Sequence, residues 1–294
     1  MKNAYIDIQH YSLHDLKRQK SNDHNLNEEL ISLYRAIFRA PPWNEFLKCK
    51  IEKCSQVYSG QNIQEIYKGQ DEQLCVMCSY GSLEDPHSAE KISYRLESEL
   101  NKQNSFLFLA GKNFSAEHIE KPELVGFVWG FSGEFHKTIN SVFKDYLVIL
   151  SEGEKETISQ KVFTSLGNPE ELTYVSDFGV APEYRSGEVA LRLILSAAEK
   201  TLQDGRDNYV CWTSKGAYQT EKQKNLHLSS PELVFVSGKF SILKSIIDSL
   251  PDASFMSLFR QKQNRRLLSK YQQRNSSPMA FILEALGAEI IDLK

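Results

Sequence analysis

Four of the five cysteines fall within residues 49–78 and one in the other 264 residues of the chain. Cys49 and Cys54 have four residues between them, Cys75 and Cys78 have two, and twenty residues separate the pairs. Two short-spaced pairs that face each other supply four thiolates at the corners of a tetrahedron, the donor set that suits zinc. With every corner filled by protein, such a site is structural and leaves no position for a catalytic water. The other reading is of buried thiols acting as small apolar side chains, and the clustering speaks against it. Cys211 lies alone in an apolar stretch and reads as core packing. The seven histidines are scattered without ligand spacing to the cysteines. Residues 43–80 therefore read as an inserted zinc-binding module, with Trp43 as its anchor or as a wall of a neighbouring cleft.

A second stretch carries anion chemistry. Val180-Ala-Pro-Glu-Tyr-Arg-Ser-Gly-Glu-Val-Ala190 links an apolar strand, Leu172 to Val180, to an alanine- and leucine-rich helix, Gly187 to Leu202. Such a junction presents free backbone N–H groups at the positive end of a helix dipole. Arg185 adds a fixed cation and Gly187 a point where backbone can approach a phosphate. A tight strand-to-helix turn would need the same Pro182 and Gly187 for purely structural reasons.

This segment resembles the acyl-CoA-binding motif of the GNAT superfamily of N-acyltransferases, which runs valine, any residue, proline, two residues, arginine or glutamine, two residues, glycine, any residue, glycine or alanine. Val180, Pro182, Arg185 and Ala190 match in register, while Glu188 stands where the family has its first loop glycine. A carboxylate roughly 5 Å from a diphosphate charge would cost about 3 kcal/mol at an effective dielectric of 20. Glu188 must then turn to solvent, or the loop must shift so that Gly187 takes the glycine's place. Leu33 to Glu45 is similar to the first helix and substrate loop of some members, and Ser277 to Ala288 to the last helix, which ends in leucine-glycine.

The resemblance implies an α+β fold with a mixed, mostly antiparallel central sheet flanked by helices, here carrying a small zinc-knuckle insertion. It also implies acetyl-CoA as cosubstrate, transfer of an acetyl group to an amine acceptor, and a splayed strand whose backbone at Phe178, Gly179 and Val180 holds the pantetheine arm. Arg185, Ser186, Gly187, Glu188, Val189 and Ala190 would surround the diphosphate. Asp177 on the central strand is the candidate base, with Glu170 or Glu171 acting through water as alternatives and a surface carboxylate as the plain structural reading. Many members carry a tyrosine acid in the last helix, where this chain has Leu283 in Leu-Glu-Ala-Leu-Gly. Tyr218, Ser214, Tyr271 or water would have to protonate the leaving thiolate. A catalytically decayed acyl-CoA-binding or regulatory protein is the rival reading.

The elements that must position these groups can be read from pattern. Tyr5–Ile8 reads as a strand, Asn27–Ala40 as an amphipathic helix ended by Pro41 and Pro42, and 88–103 as a helix capped by Ser88. Residues 105–110 and 124–131 read as an antiparallel pair. Leu172 to Thr213 reads as strand, helix, strand, a βαβ unit. Helix candidates at 240–249 and 257–273, a short helix ending at Gly287 and a last strand at 289–293 follow. We read 1–294 as one domain with insertions at 135–169 and 215–277.

A net charge of −3 and a pI near 6.2 give no global reason to expect nucleic acid or an anionic membrane. Between Phe255 and Leu283, however, Arg260, Lys262, Arg265, Arg266, Lys270 and Arg274 occur without an acidic residue. That run reads as a solvated helical face, or, with the zinc module, as a nucleic-acid-binding device. No stretch approaches the roughly 20 apolar residues that span a bilayer, and residues 1–14 lack the pattern of a signal peptide. Both point to the cytoplasm, where thiols stay reduced.

Overall fold

Phe106, Phe108 and Ala110 alternate with Leu107 and Leu109 along one strand, and both sets are buried. A strand that is apolar on both faces needs cover on both. The rest of the fold supplies it. The computed structural model describes residues 6–18, 25–39, 47–51, 54, 57–58, 74–75, 78, 81–112, 123–147, 150–185, 188–214, 233–250 and 283–292. In chain order these form β1 (Asp7–Tyr11), α1 (Leu13–Arg18), α2 (Leu26–Arg39), β2 (Leu47–Cys49), β3 (Val57–Tyr58), β4 (Leu83–Glu84), α3 (Ala89–Leu100), β5 (Phe106–Lys112) and β6 (Glu123–Glu134). Then come α4 (Phe135–Tyr146), α5 (Glu152–Ser165), β7 (Glu171–Val180), a 3₁₀ turn at Pro182–Tyr184, α6 (Val189–Gln203), β8 (Asn208–Ser214), β9 (Leu233–Lys239), α7 (Phe240–Asp248) and β10 (Glu289–Asp292).

Seven strands form one sheet in the order β1-β5-β6-β7-β8-β9-β10, and β3-β2-β4 form a small second sheet. Within the large sheet only β7 and β8 run parallel; the other pairings are antiparallel. This is the mixed, mostly antiparallel sheet flanked by helices that the sequence led us to expect. The parallel pair is joined by α6, which makes β7-α6-β8 the βαβ unit.

On one face, α1, α2 and α3 bury Leu30, Tyr34, Ile37 and Leu96 against Leu107, Leu109, Phe127 and Trp129. Farther along the same face, α4 and α5 pack Phe135, Ile139, Val142, Ile158 and Val162 onto Phe131, Tyr174, Val210 and Phe235. Residues 135–169, read from sequence as an insertion, thus supply two helices that cover the sheet. Ser151 and Glu154 form a reciprocal capping box at the start of α5. The opposite face is covered by α6 and α7, with Leu283 and Leu286 packed among them.

Several boundaries agree with the local chemistry. Ser88 caps α3 through the Lys91 N–H. Gly287, at φ 87°, ends the last helical turn: its N–H donates to Glu284 O, and the Ala288 N–H donates to Leu283 O, the paired bonds of a glycine-terminated helix. The strand β9 lies inside the stretch read as the 215–277 insertion, and it completes the sheet between β8 and β10. The candidate helix at 257–273, the basic run from Arg260 to Arg274, Trp43, Tyr218 and Tyr271 lie outside the described residues. Among the described residues no helix is long and apolar enough to cross a membrane.

Gly130 lies at an irregularity in the β6–β7 ladder, where a Cβ would sit 2.2 Å from Tyr174 O and 2.9 Å from the Phe106 ring. Neither neighbour has room to retreat. Gly130→Ala is expected to destabilise the fold by about 3 kcal/mol, read as a lower urea midpoint with unchanged slope; equal midpoints would contradict the packing described.

Candidate functional site: a splayed strand pair and a cysteine cluster

Parallel pairing between β7 and β8 extends over Thr173 with Tyr209 and Tyr174 with Val210. β7 continues for six residues beyond that contact while remaining paired on its other side with β6. From Val175 to the end of β7 no pairing with β8 is present, so Phe178, Gly179 and Val180 have no strand partner on that side. The unpaired stretch starts at a β-bulge. Val175 faces Gly130 and Asp177 faces Trp129, leaving Ser176 as the extra residue. A bulge bends its strand and breaks the alternation of side chains. Ser176 and Asp177 consequently point to the same face, toward α3.

There they meet a polar network. Arg95 lies 3.0 Å from the Asp177 carboxylate and donates to Ser176 Oγ at 3.0 Å. Glu99, four residues on, has a fully buried side chain and pairs with Arg95 at 3.3 Å. It accepts from Ser176 Oγ at 2.8 Å and from the Trp129 indole N–H at 2.7 Å. Tyr34 Oη stands 3.4 Å from both Asp177 Oδ1 and Arg95 Nη1. Burial acts to lower the Arg95 pKa, and the surrounding Asp177, Tyr34, Glu99 and Tyr174 outweigh it, holding the guanidinium well above its ordinary range. Asp177 sits between the sheet and α2, with about a tenth of its side chain open to solvent, at 10%. Glu171 is paired with Arg206 at 2.9 Å, at the far end of β7 and on the order of 20 Å of strand from Phe178.

Past Val180, the Ala181 N–H closes onto Val125 O at 2.8 Å, the 3₁₀ turn follows, and α6 begins. The Arg192 N–H donates to Glu188 O at 2.9 Å, so the amides of Val189, Ala190 and Leu191 precede the first intrahelical bond. Helix geometry leaves them without a partner in their own helix. Ser186 and Gly187 lie outside the described residues. Glu188 turns outward: its side chain is 56% exposed and pairs with Arg192 at 3.2 Å. Arg192 in turn donates to Ile6 O at 2.8 Å. Of the two ways to accommodate this carboxylate, the structure displays the first. Arg185 folds back, donating through Nε to Val180 O at 3.1 Å and through Nη2 to Ile37 O at 3.5 Å. It ties the end of β7 to α2.

The four cysteines come together. Cys49 ends β2, and the ligand atoms of Cys49, Cys54, Cys75 and Cys78 all lie within 4.8 Å of one another. The Cys49–Cys78 and Cys54–Cys75 sulfur separations are 3.7 and 3.5 Å, near the roughly 3.8 Å edge of a tetrahedron with Zn–S bonds of about 2.3 Å. Gly81 closes over the sulfurs. Its N–H donates to Cys78 Sγ at 3.3 Å, and a Cβ there would meet Cys49 Sγ at 2.5 Å. Burial, only partly offset by a backbone bond at Ile51, and crowding by the other three thiols push the Cys49 thiol up to about 12. This cluster could hold a metal ion. Cys211 stands apart in β8, its thiol pushed up to about 12 by burial alone, which suits a packed side chain.

The cluster is coupled to the network beside the bulge. Cys49 pairs with Leu83 and Lys48 with Glu84 across β2 and β4. Directly after β4, Asp85 takes Arg35 and Arg39 of α2 as partners, and Glu84 takes Lys91 of α3. The buried His87 ring lies 5.4 Å from Tyr34 and 5.3 Å from Phe38. Neither the small sheet nor the Arg95–Glu99 network is signalled by local periodicity.

No family model and no curated protein matches the chain. Among solved structures it is similar to a PaiA N-acetyltransferase of Thermoplasma acidophilum in complex with coenzyme A, at 14% identity over 71% of this chain and 80% of that one, TM-score 0.33. It is similar to a Drosophila melanogaster polyamine N-acetyltransferase that forms N-acetylagmatine, at 13% identity over 74% and 79%, TM-score 0.38. Arylalkylamine N-acetyltransferase 2 of Aedes aegypti gives 12% identity over 77% and 93%, TM-score 0.38. All three are N-acetyltransferases. Likenesses at these scores carry no weight of their own; strand order, register and loop geometry do.

An exposed i,i+4 pair contributes little. Glu188→Gln is therefore expected to leave unfolding free energy within about 0.5 kcal/mol of the parent, measured by urea denaturation. A loss of several times that amount would mean the carboxylate is engaged inward.

Proposed function

We propose that the chain is a cytoplasmic N-acetyltransferase that moves an acetyl group from acetyl-CoA to an amine acceptor, with zinc held by Cys49, Cys54, Cys75 and Cys78. The observation that carries this reading is the splayed edge of β7 running, through one short turn, into the start of α6. An extended thioester arm needs a free strand edge, and its diphosphate needs the amides of a helix start. In chain order the strand edge comes first and the helix start second, which supports this reading.

In this reading the backbone of Phe178, Gly179 and Val180 holds the pantetheine arm. The amides from Ser186 to Ala190 receive the diphosphate, and Arg185 swings from its carbonyl partners to add charge. The acceptor nitrogen attacks the thioester carbonyl; a C–N bond forms, the C–S bond breaks, and the amine's proton leaves. Asp177 takes that proton through an intervening water, since little of its side chain reaches solvent. The thiolate takes its proton from water or from the hydroxyl of Ser214, Tyr218 or Tyr271, because Leu283 is buried in the core and has no proton to give. Zinc, when bound, supplies folding free energy to a module with little core of its own. Through β4 it fixes Asp85 and His87 against α2.

Leu283 favours a second reading, an acyl-CoA-binding protein without turnover. One titration separates the possibilities. Calorimetry with acetyl-CoA is expected to show one site with a dissociation constant on the order of 1 μM to 1 mM, and a panel of amines is expected to release free thiol. Binding without thiol release moves the assignment to the second reading; absence of heat removes both. For the cysteine cluster, native mass spectrometry is expected to find one zinc ion, lost in Cys75→Ser. Free alkylation of all four thiols in the folded protein would contradict the site.

A further inference from the structure

Arg95 and Glu99 touch three of the residues that define the bulge, Ser176 and Asp177 on β7 and Trp129 on β6. The guanidinium spans its two consecutive side chains, reaching Ser176 Oγ and the Asp177 carboxylate at 3.0 Å each. Glu99 holds Ser176 on β7 and Trp129 on β6, and Trp129 is the residue directly opposite Asp177 in the ladder. Pairing with β8 covers Thr173 and Tyr174 and stops next to the bulge.

The alternative conformation of β7 is identifiable. Without the extra residue, each side chain after Ser176 would move to the other face. Asp177 would then point at the apolar cluster that contains Val189 and Leu193, and Phe178 and Val180 would leave that cluster. The structure shows the bulge present, with Ser176 and Asp177 together under α3; its loss would require a slip of the whole strand end. We propose that Arg95 and Glu99 are positioning residues that lock this bulge, holding Phe178–Val180 off β8 as the open edge that receives the thioester arm. Neither side chain touches a reacting atom. The proposal rests on the acetyltransferase reading for the identity of that ligand and on the contacts alone for the lock.

Arg95→Lys keeps the charge and removes the fork that bridges Ser176 and Asp177. In the ligand-free protein, amide exchange at residues 178–180 is expected to slow about tenfold or more as the edge pairs with β8 while residues 193–200 of α6 keep their rates. Calorimetry is expected to show acetyl-CoA bound about tenfold more weakly in a chain whose circular dichroism is that of the parent. Should Arg95→Lys fail to fold, Ser176→Ala removes only the shared hydroxyl and reads the same two quantities in the same direction. A folded variant with unchanged exchange at 178–180 and unchanged affinity overturns the proposal and, because the parent still binds, leaves the acetyltransferase reading standing. A lower melting temperature with both quantities unchanged overturns it equally, since that is what a purely structural pair would give. A parent chain that binds no acetyl-CoA removes the ligand from the proposal and the acetyltransferase reading together.

Discussion

The guanidinium of Arg95, enclosed between a helix and the sheet, is the group around which the rest of this structure is arranged. Taking such a charge from water costs several kcal/mol unless its partners are in place. They arrive from three separate elements: Glu99 on its own helix, Tyr34 on α2, and Ser176 with Asp177 on β7. Each partner is satisfied in one register of β7. A buried network of this kind adds little net stability compared with apolar packing, but it fixes which residues share a face. The bulge follows from it, and the end of the pairing between β7 and β8 follows from the bulge.

The same constraint links two features that look unrelated along the chain. α3 carries Arg95 at its middle and Glu99 near its end, and its cap, Ser88, lies three residues after Asp85 and seven after Gly81. Gly81 lies against the sulfurs of Cys49 and Cys78, and Asp85 bridges to Arg35 and Arg39 on α2. A metal held by the cysteine cluster would thus anchor the entry to α3, and α3 carries the partners of the bulge. Phe38, Tyr34 and His87, which form an aromatic wall at the joint, take their positions from both sides.

Much of this was legible in the residues. The βαβ unit announced itself because both strands are apolar and the intervening helix is rich in alanine and leucine. Ser88 and Gly287 mark helix ends through local chemistry that depends on a few neighbours only. The cysteine spacing brought four thiols together on paper as it does in space. What escaped depends on distant partners. Arg95 and Glu99 sit at i and i+4 on a helix, the pattern of an ordinary solvated ion pair, and their further partners are tens of residues away in sequence. β9, Leu-Val-Phe-Val-Ser-Gly-Lys, had the β-branched alternation of a strand but lay inside a long polar stretch. Glu188 seemed to oppose an anion, and its partner at Arg192 was visible one turn on.

The central claim is that the gap opened by the bulge and the amides at the start of α6 form one continuous binding track. A crystal structure of the protein soaked with acetyl-CoA tests it directly. The claim requires the pantetheine chain along residues 178–180, the diphosphate at the start of α6, Glu188 still turned toward Arg192, and Arg95 still bridging Ser176 and Asp177. Density for the ligand elsewhere, or β7 and β8 zipped together past Tyr174 with the bulge gone, would contradict it.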